Sequence, residues 1–179
     1  MKRVESEYAQ ALYDLTRDEG LSDRVLEEMR LLGAAFRTED TYLRVLSAPN
    51  ISKDERCGIL DEAFRGKVQP YVLNFMKLLT EKGYIRHFPA ACAEYEALYN
   101  EDHGILTVSV SSAVPLSKEQ KTRLAGKLGN LTGKEISLKC TVDPSVLGGV
   151  RLDFDGKRMD DTVRHRLDSI RTMLESATL

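Results

Sequence analysis

The sequence contains no long hydrophobic run and no recognisable targeting segment. The longest apolar stretch, around Leu78, is interrupted by Lys77 and Lys82 and falls far short of the roughly 20 residues that a membrane-spanning helix needs. Residues 1–7 become acidic where a signal peptide would become apolar and where a transit peptide would avoid acidic residues. We therefore expect a chain that begins near Met1 and remains in the compartment where it is made.

Cysteine is scarce, and tryptophan is absent. Cys57, Cys92 and Cys140 are odd in number, far apart and in no C-x-x-C spacing. This pattern argues against a disulfide framework and against a zinc site. It favours free, buried thiols in a protein of the reducing cytosol.

The chain also lacks a strong net charge, but its charges are unevenly distributed. Residues 1–104 carry 14 Lys and Arg against 19 Asp and Glu, a net charge of −5, whereas residues 105–179 carry 12 against 9, a net charge of +3. An acidic first part is a poor binder of nucleic acid, because phosphate binding needs clustered cations. The basic second part suits an acidic partner, although ordinary solvated faces would give the same balance.

Apolar residues recur with helical spacing from Val4 to His103, and this predicts six short helices. The apolar stripes are 4–15, 25–36, 42–46, 59–64, 73–79 and 84–99. Ser22 is expected to cap the second helix, Ser52 with Glu55 has the spacing of a capping box, and Pro70 suits a first helical turn. Short, capped connections of this kind predict a compact helical bundle.

The period changes after Gly104. Residues 105–111, 136–142 and 150–154 alternate as strands do, and Ser117 with Gln120 caps a helix between the first two. Asp155-Gly156 is a hairpin signal, and a last helix is expected to carry an apolar stripe consisting of Met159, Val163, Leu167, Ile170 and Leu174. We predict an α+β protein, with a six-helix bundle in residues 1–104 and a small α/β module with a short sheet in residues 105–179.

Motifs of catalysis are largely missing. His87, His103 and His165 are far apart and have no metal-ligand spacing. Residues 129–135 resemble a phosphate loop but lack one residue between the glycines and the final Ser or Thr, so they are better explained as a helix end. Four aspartates could suggest a cation site, but a hairpin and a helix cap explain them as well: Asp153, Asp155, Asp160 and Asp161. We expect neither an enzyme nor a cofactor, and a small cytosolic enzyme remains the least favoured alternative.

Two helices carry more apolar surface than one buried face requires. The first presents Ala9 and Tyr13 in addition to its main stripe, and the fifth is apolar nearly all round. Such a helix is either central in the bundle or has a second face that a partner covers. In the second case, an amphipathic helix would lie in a groove between the first and fifth helices.

Four segments resemble one family in the expected order along the whole chain. Tyr8–Tyr13 is similar to the first helix, Glu81–Ile85 to the turn after the fifth helix, and Asp143–Leu152 with Met159–Leu167 to the C-terminal signature of the delta subunit of F-type ATP synthase. This family includes the oligomycin-sensitivity-conferring protein. Asp161 and His165 stand where the family often has glycine.

The resemblance implies a non-catalytic subunit of the peripheral stalk, which holds the catalytic head still while protons drive the rotor. It implies that the helical domain binds the N-terminal helix of an alpha subunit, and that the second domain binds the C-terminal end of the b-subunit dimer. The chain would then lie peripherally on the cytoplasmic face of a bacterial cell membrane, associated with it only through b.

The groove residues implied by the resemblance are Tyr8, Ala11, Leu12, Leu15, Phe75, Leu79 and Lys82. The signature residues are Gly148, Gly149, Asp160, Val163 and Arg164. Leu12→Asp is expected to weaken binding of the alpha helix and leave the fold intact. The main alternative from another class is an RNA-binding antitermination factor, which would require a basic face on the acidic helical half.

Overall fold

The computed structural model describes residues 4–146, 148–154 and 157–160, and the chain divides into two compact units, Met1–Tyr99 and Asn100–Leu179. In these described ranges, seven α-helices and a four-stranded sheet make up an α+β fold. The helices that precede the first strand are α1 Val4–Asp18, α2 Ser22–Thr38, α3 Thr41–Leu46, α4 Lys53–Phe64, α5 Pro70–Glu81 and α6 Phe88–Asp102. The division between the units falls within α6, just ahead of the change from helix to strand.

Local capping chemistry determines several of the helix starts. Ser52 and Glu55 form the predicted capping box at α4, with each side chain accepting a backbone N–H of the other residue. Pro70 is the first residue of α5, where the N–H that proline lacks would have no helical partner. The capping predictions at these two helices are therefore confirmed.

The predicted cap at Ser22 is wrong. Ser22 is already the first residue of α2, Leu21 occupies the cap position, and no side-chain capping bond forms there. The backbone N–H of Leu21 donates to the carbonyl oxygen of Thr16 in α1, and the Leu21 carbonyl accepts from Val25. Because the end of α1 fixes Leu21, α2 begins one residue earlier than a serine cap would allow.

The start of α6 also differs from the prediction, which included Tyr84 in the helix. A 3₁₀ turn at Ile85–His87 separates Tyr84 from α6. Pro89 is the second residue of α6. Proline is tolerated only in the first turn of an α-helix, because in the interior it removes a hydrogen bond and clashes with the preceding turn. Pro89 therefore places the start of α6 at Phe88.

The core of the first unit is rich in aromatic contacts. Phe36 stacks on Tyr42 at 5.7 Å between ring centroids and meets the edge of Phe88 at 5.5 Å. Tyr95 is fully buried, and its hydroxyl oxygen lies 2.6 Å from Oγ1 of Thr16, which in turn donates to the Leu12 carbonyl oxygen. Buried hydroxyls need such partners, so this pair joins α1 to α6 without leaving an unpaired polar group.

The second unit consists of β1 Ile105–Ser112, α7 Lys118–Thr132, β2 Glu135–Val142, β3 Val150–Phe154 and β4 Lys157–Asp160. The strand order is β2-β1-β3-β4, and β1 pairs parallel with β2 and antiparallel with β3. Every second residue of β1 is buried, as the alternation predicted, and Leu106, Val108 and Val110 pack in one cluster with Leu128 of α7. The capping box of Ser117 and Gln120 is confirmed, and Gly133 ends α7 in the left-handed conformation.

The fourth strand corrects the prediction for Met159. This residue lies on β4 opposite Leu152 of β3 and is 57% exposed, rather than on the apolar stripe of a last helix. The chain turns back beside β3 after the hairpin signal and continues as a strand, so the apolar spacing that begins at Met159 is not helical there. The hairpin residues 155–156 and the remainder of the predicted helix lie outside the described residues.

None of the helices in the described ranges combines the length and apolarity that crossing a bilayer requires.

Gly149, directly before β3, has a φ of +80°, a left-handed conformation that favours glycine.

Helices α2 and α6 approach each other closely at Gly33. A Cβ built at this glycine would lie 3.0 Å from Cβ and 3.2 Å from Sγ of Cys92. Cys92 is buried and would have to shift, and this overpacking outweighs the gain in helix propensity that alanine brings.

We predict that Gly33→Ala lowers the free energy of unfolding by about 1–2 kcal/mol, because overpacking a well-packed contact costs about 1–3 kcal/mol. Gly58→Ala is the matched control: it lies within α4 with open space around it, so it is expected to stabilise by about 0.5–1 kcal/mol. Urea unfolding of both variants measures the two signs. Stabilisation by Gly33→Ala would contradict the close approach.

Burial of Cys92 also leads to a prediction of how the free energy of unfolding depends on pH. Burial raises the pKa of the Cys92 thiol from 9.0 to about 12, so the folded protein keeps the thiol neutral after the unfolded chain has ionised it. The folded state then binds more protons, and the free energy of unfolding falls between pH 9 and pH 12 by up to about 1.4 kcal/mol per pH unit.

Denaturant unfolding between pH 8 and pH 11 checks this expectation. Cys92→Ala is expected to show a shallower loss of stability with pH than the wild type. Cys140→Ala, at an exposed position, is expected to keep the wild-type slope. Equal slopes for all three proteins would show that Cys92 does not contribute.

Candidate functional site

An open groove of about 300 Å³ runs between α1 and α5 in the first unit. Its lining residues among those described are Tyr8, Ala11, Leu12, Leu15, Tyr71, Asn74, Phe75 and Leu78. We call this feature the α1–α5 groove. Because most of the lining is apolar and open to solvent, the groove is a surface on which apolar side chains of another molecule could be buried.

Both walls of the groove have the same pattern. The lining residues of α1 follow the spacing i, i+3, i+4, i+7 from Tyr8, and those of α5 follow it from Tyr71. Such spacing places four side chains on one face of a helix. Each wall therefore presents a tyrosine, a small or polar residue, a large apolar residue and a leucine, in that order.

The next face of each helix is buried in the protein itself. On α1, Ala9 and Tyr13 are 0% and 2% exposed, and on α5, Val72 and Met76 are both fully buried. These positions lie one residue beyond the groove positions, which is about 100° around a helix. The extra apolar surface noted in the sequence is thus explained, because α1 and α5 each contribute one apolar face to the core and another to the groove.

The floor and the rim of the groove differ in exposure. Leu12 and Phe75 line the floor but are only 6% and 5% exposed, because they also belong to the core cluster. Leu15 and Leu78 are 46% and 38% exposed. The rim leucines are therefore left exposed by the protein itself, as are Ala11 and Asn74. The expectation that Leu12→Asp leaves the fold intact is replaced, since that change would place a charge in the core.

The charged side chains between α4 and α5 pair with one another on a side of α5 away from the groove. Nζ of Lys77 lies 2.5 Å from Oδ2 of Asp61 on α4, and Arg65 lies 3.1 Å from the other carboxylate oxygen. The Lys77 hydrogen bond, with a smaller effect of Arg65, lowers the pKa of Asp61 below its usual range. The positive charge of Lys77 is thus engaged on the α4 side, which keeps the groove wall of α5 uncharged.

The structure brings five of the seven predicted groove residues together: Tyr8, Ala11, Leu12, Leu15 and Phe75. Leu79 is fully buried in the core cluster, since it lies one residue past Leu78 and faces inward. We therefore replace Leu79 by Leu78 as the groove position. Lys82 continues the groove stripe by its spacing but lies at the C-cap of α5, beyond the lining residues.

Sequence reasoning missed Tyr71, Asn74 and Leu78. The signal that finds them is the spacing already recognised in α1, applied to α5 from its own tyrosine. Apolarity alone does not distinguish Leu78 from Leu79, and it passes over the polar Asn74.

The signature residues lie in the second unit as far as they are described. Gly148 and Gly149 directly precede β3, and Asp160 ends β4 opposite Arg151. Val163 and Arg164 lie outside the described residues. The structure therefore places the first half of the signature at the start of a central strand of the sheet.

The described ranges contain no grouping of histidine, cysteine or acidic side chains able to hold a metal ion. Asp153, one of the aspartates considered for a cation, accepts a hydrogen bond of 2.7 Å from Nε of Arg158. This bond raises the pKa of Arg158 and occupies the carboxylate in an ion pair across the β3–β4 hairpin. The segment that resembled a phosphate loop is the end of α7 and the turn after it.

Comparisons with known protein sequences point to a single family. The profile of the ATP synthase delta (OSCP) subunit family matches residues 4–174. The chain is 35% identical over 175 residues to ATP synthase subunit delta of Symbiobacterium thermophilum, with 97% of this chain and 94% of that protein covered. It is 32% identical over 170 residues to ATP synthase subunit delta of Chlorobium chlorochromatii, with 95% of each covered.

The fold is similar to that of a solved chain in the mitochondrial ATP synthase hexamer of Toxoplasma gondii. The TM-score is 0.75 at 20% identity, and the match covers 97% of this chain and 98% of that one. The family profile spans both units, including the α1–α5 groove and the signature before β3. The chain therefore belongs to the ATP synthase delta (OSCP) subunit family.

Proposed function

We propose that the α1–α5 groove holds the amphipathic N-terminal helix of an ATP synthase alpha subunit. The chain is a structural, non-catalytic subunit of the peripheral stalk, which keeps the catalytic head from turning with the rotor. The observation that carries the proposal is an open apolar groove between two helices whose other faces are already buried in the core.

The dimensions of the groove suit a helix. From Tyr8 to Leu15 the wall covers seven helical steps, or about 10 Å at 1.5 Å per residue. A partner helix would therefore contact the groove walls over about two of its turns. Its apolar residues at i, i+3, i+4 and i+7 would contact the two walls together, as in other complexes of a helix in a groove.

An apolar groove also fits the mechanical demand on a stator. Affinity among related complexes is set mainly by the dissociation rate, and a stator must hold through many turnovers. Desolvated apolar anchors near the centre of an interface dominate binding energy, whereas charges at the rim mainly affect encounter. Leu15 and Leu78, which are half-exposed and flank a buried floor, are suited to become such anchors when covered.

We further propose that the second unit binds the C-terminal end of the b-subunit dimer. The support is a set of basic side chains on α7, since Lys118, Lys121, Arg123 and Lys127 are all exposed. Leu124 lies among these cations and, with Arg123 and Lys127, borders a shallow depression of about 220 Å³. A surface of this composition suits an acidic helix that has some apolar residues.

Through b, the protein would be held at the cytoplasmic face of a bacterial cell membrane as a peripheral subunit. The RNA-binding alternative lacks support, because the helical part carries a net charge of −5 and the family is that of an ATP synthase subunit.

We predict that Leu15→Asp weakens binding of a synthetic alpha N-terminal peptide by at least about 30-fold, which corresponds to about 2 kcal/mol, because it places a charge against the covered rim. Leu31→Asp on α2 is the matched control, since Leu31 is 72% exposed and does not line the groove. A tryptophan placed in the peptide reports binding without background, because the chain has none.

Both variants are expected to keep the wild-type unfolding temperature to within a few degrees, because the two leucines are exposed. Equal affinity of Leu15→Asp and wild type, with folding intact, would exclude the α1–α5 groove as the alpha site.

For the second contact, we predict that reversing Arg123 and Lys127 to glutamate weakens co-sedimentation with b and reduces its dependence on salt, because fewer cations remain to be screened. Lys53→Glu with Lys67→Glu in the first unit changes the net charge equally and is expected to leave b binding unchanged. A series of salt concentrations measures both effects. If the two double variants bind b equally, α7 is not the contact.

A further inference from the structure

The α1–α5 groove contains one feature that apolar burial does not explain. Asn74 lies in the middle of the α5 wall, between Tyr71 and Phe75 in the lining, and is the one lining residue among those described whose side chain is entirely polar. It is exposed and makes no hydrogen bond with the described part of the chain. Its amide therefore has a donor and an acceptor available to a partner.

We propose that Asn74 determines the specificity of the groove by selecting a helix that has one uncharged, hydrogen-bonding side chain within its apolar stripe. The inference rests on the proposed function, since it concerns how the bound helix is held. The paired side chain would be Asn, Gln, Ser or Thr, and the pairing would fix the axial register of the helix.

The need for a partner follows from desolvation. A bound helix covers Asn74, and an amide that loses water without gaining a hydrogen bond opposes binding. A charged partner would itself have to be desolvated in a largely apolar groove, at a cost that a single neutral amide does not offset. An uncharged polar side chain satisfies both groups, in the way that one buried asparagine fixes the register of a coiled coil.

The symmetry of the two walls explains why register needs fixing. Each wall presents a tyrosine, a central residue, a large apolar residue and a leucine, so a helix displaced by one turn would still meet mostly apolar side chains. The central residue is Ala11 on α1 and Asn74 on α5. Asn74 is thus the position at which a displaced helix would leave a polar group unpaired.

A double-mutant cycle tests the proposal with full-length protein. The probes are the synthetic alpha N-terminal peptide and the same peptide with the uncharged polar residues of its apolar stripe changed to leucine. Asn74→Leu is expected to weaken binding of the native peptide about tenfold, and the leucine peptide should bind the wild type about tenfold more weakly. Asn74→Leu with the leucine peptide should recover most of the affinity.

Asn130→Leu on α7 is the matched control, because it adds the same apolar side chain at an exposed helical position of the other unit, and it should change nothing. Asn74→Ala provides a second variant that adds no apolar surface, and it should weaken native-peptide binding in the same direction. If affinity is unchanged in both Asn74 variants, or if the two changes in the cycle are simply additive, Asn74 does not select the partner.

Register is measured separately with a nitroxide at one end of the peptide. In the wild type, NMR signals should broaden at one end of the groove, and in Asn74→Leu at both ends. Broadening confined to one end in both proteins would overturn the role in register. The proposed function itself would fail in a different way. In that case the wild type would not bind the native peptide, or Leu15→Asp would bind it as well as the wild type does.

Discussion

The structure of the first unit depends on a fifth helix with two apolar faces, one packed in the core and one lining the open α1–α5 groove. Val72, Met76 and Leu79 belong to the core, Tyr71 and Leu78 line the α1–α5 groove, and Phe75 contributes to both. An amphipathic helix of a globular protein normally needs only one apolar stripe. The second stripe leaves α5 little polar surface, and this explains why its sequence is apolar nearly all round. Lys77 is an exception, and it pairs with Asp61 of α4.

The same arrangement extends to the neighbours of α5. Helix α1 repeats the arrangement, with its core face fixed to α6 by the hydroxyl pair of Thr16 and Tyr95. Helices α2 and α6 approach closely at Gly33, against Cys92 of the same core. Close-packed protein interiors resist deformation, and the groove walls are helices packed on such an interior rather than loops. A preformed groove avoids part of the ordering cost that binding otherwise includes.

Features that depend on a few adjacent residues were predictable from the sequence. The capping boxes at Ser52 and Ser117 formed as their spacing indicated, because the bonds lie within one helical turn. The start of α2 and the strand at Met159 were predicted wrongly, since a bond from another helix and pairing with another strand decide them. For the groove, helical spacing identified the α1 wall, but choosing Leu78 rather than Leu79 on α5 requires knowing which side of that helix the core occupies.

The two units offer chemically different surfaces, and this difference has a consequence for a stator. The groove of the first unit is apolar, so the affinity of a contact there would depend weakly on ionic strength. A contact through the exposed cations of α7 in the second unit would be screened by salt. A molecule that joins two partners is limited by its weaker contact. In the proposed assembly, raising the ionic strength would therefore weaken binding to b before it weakened binding to alpha. The apolar groove would be the contact that depends less on salt.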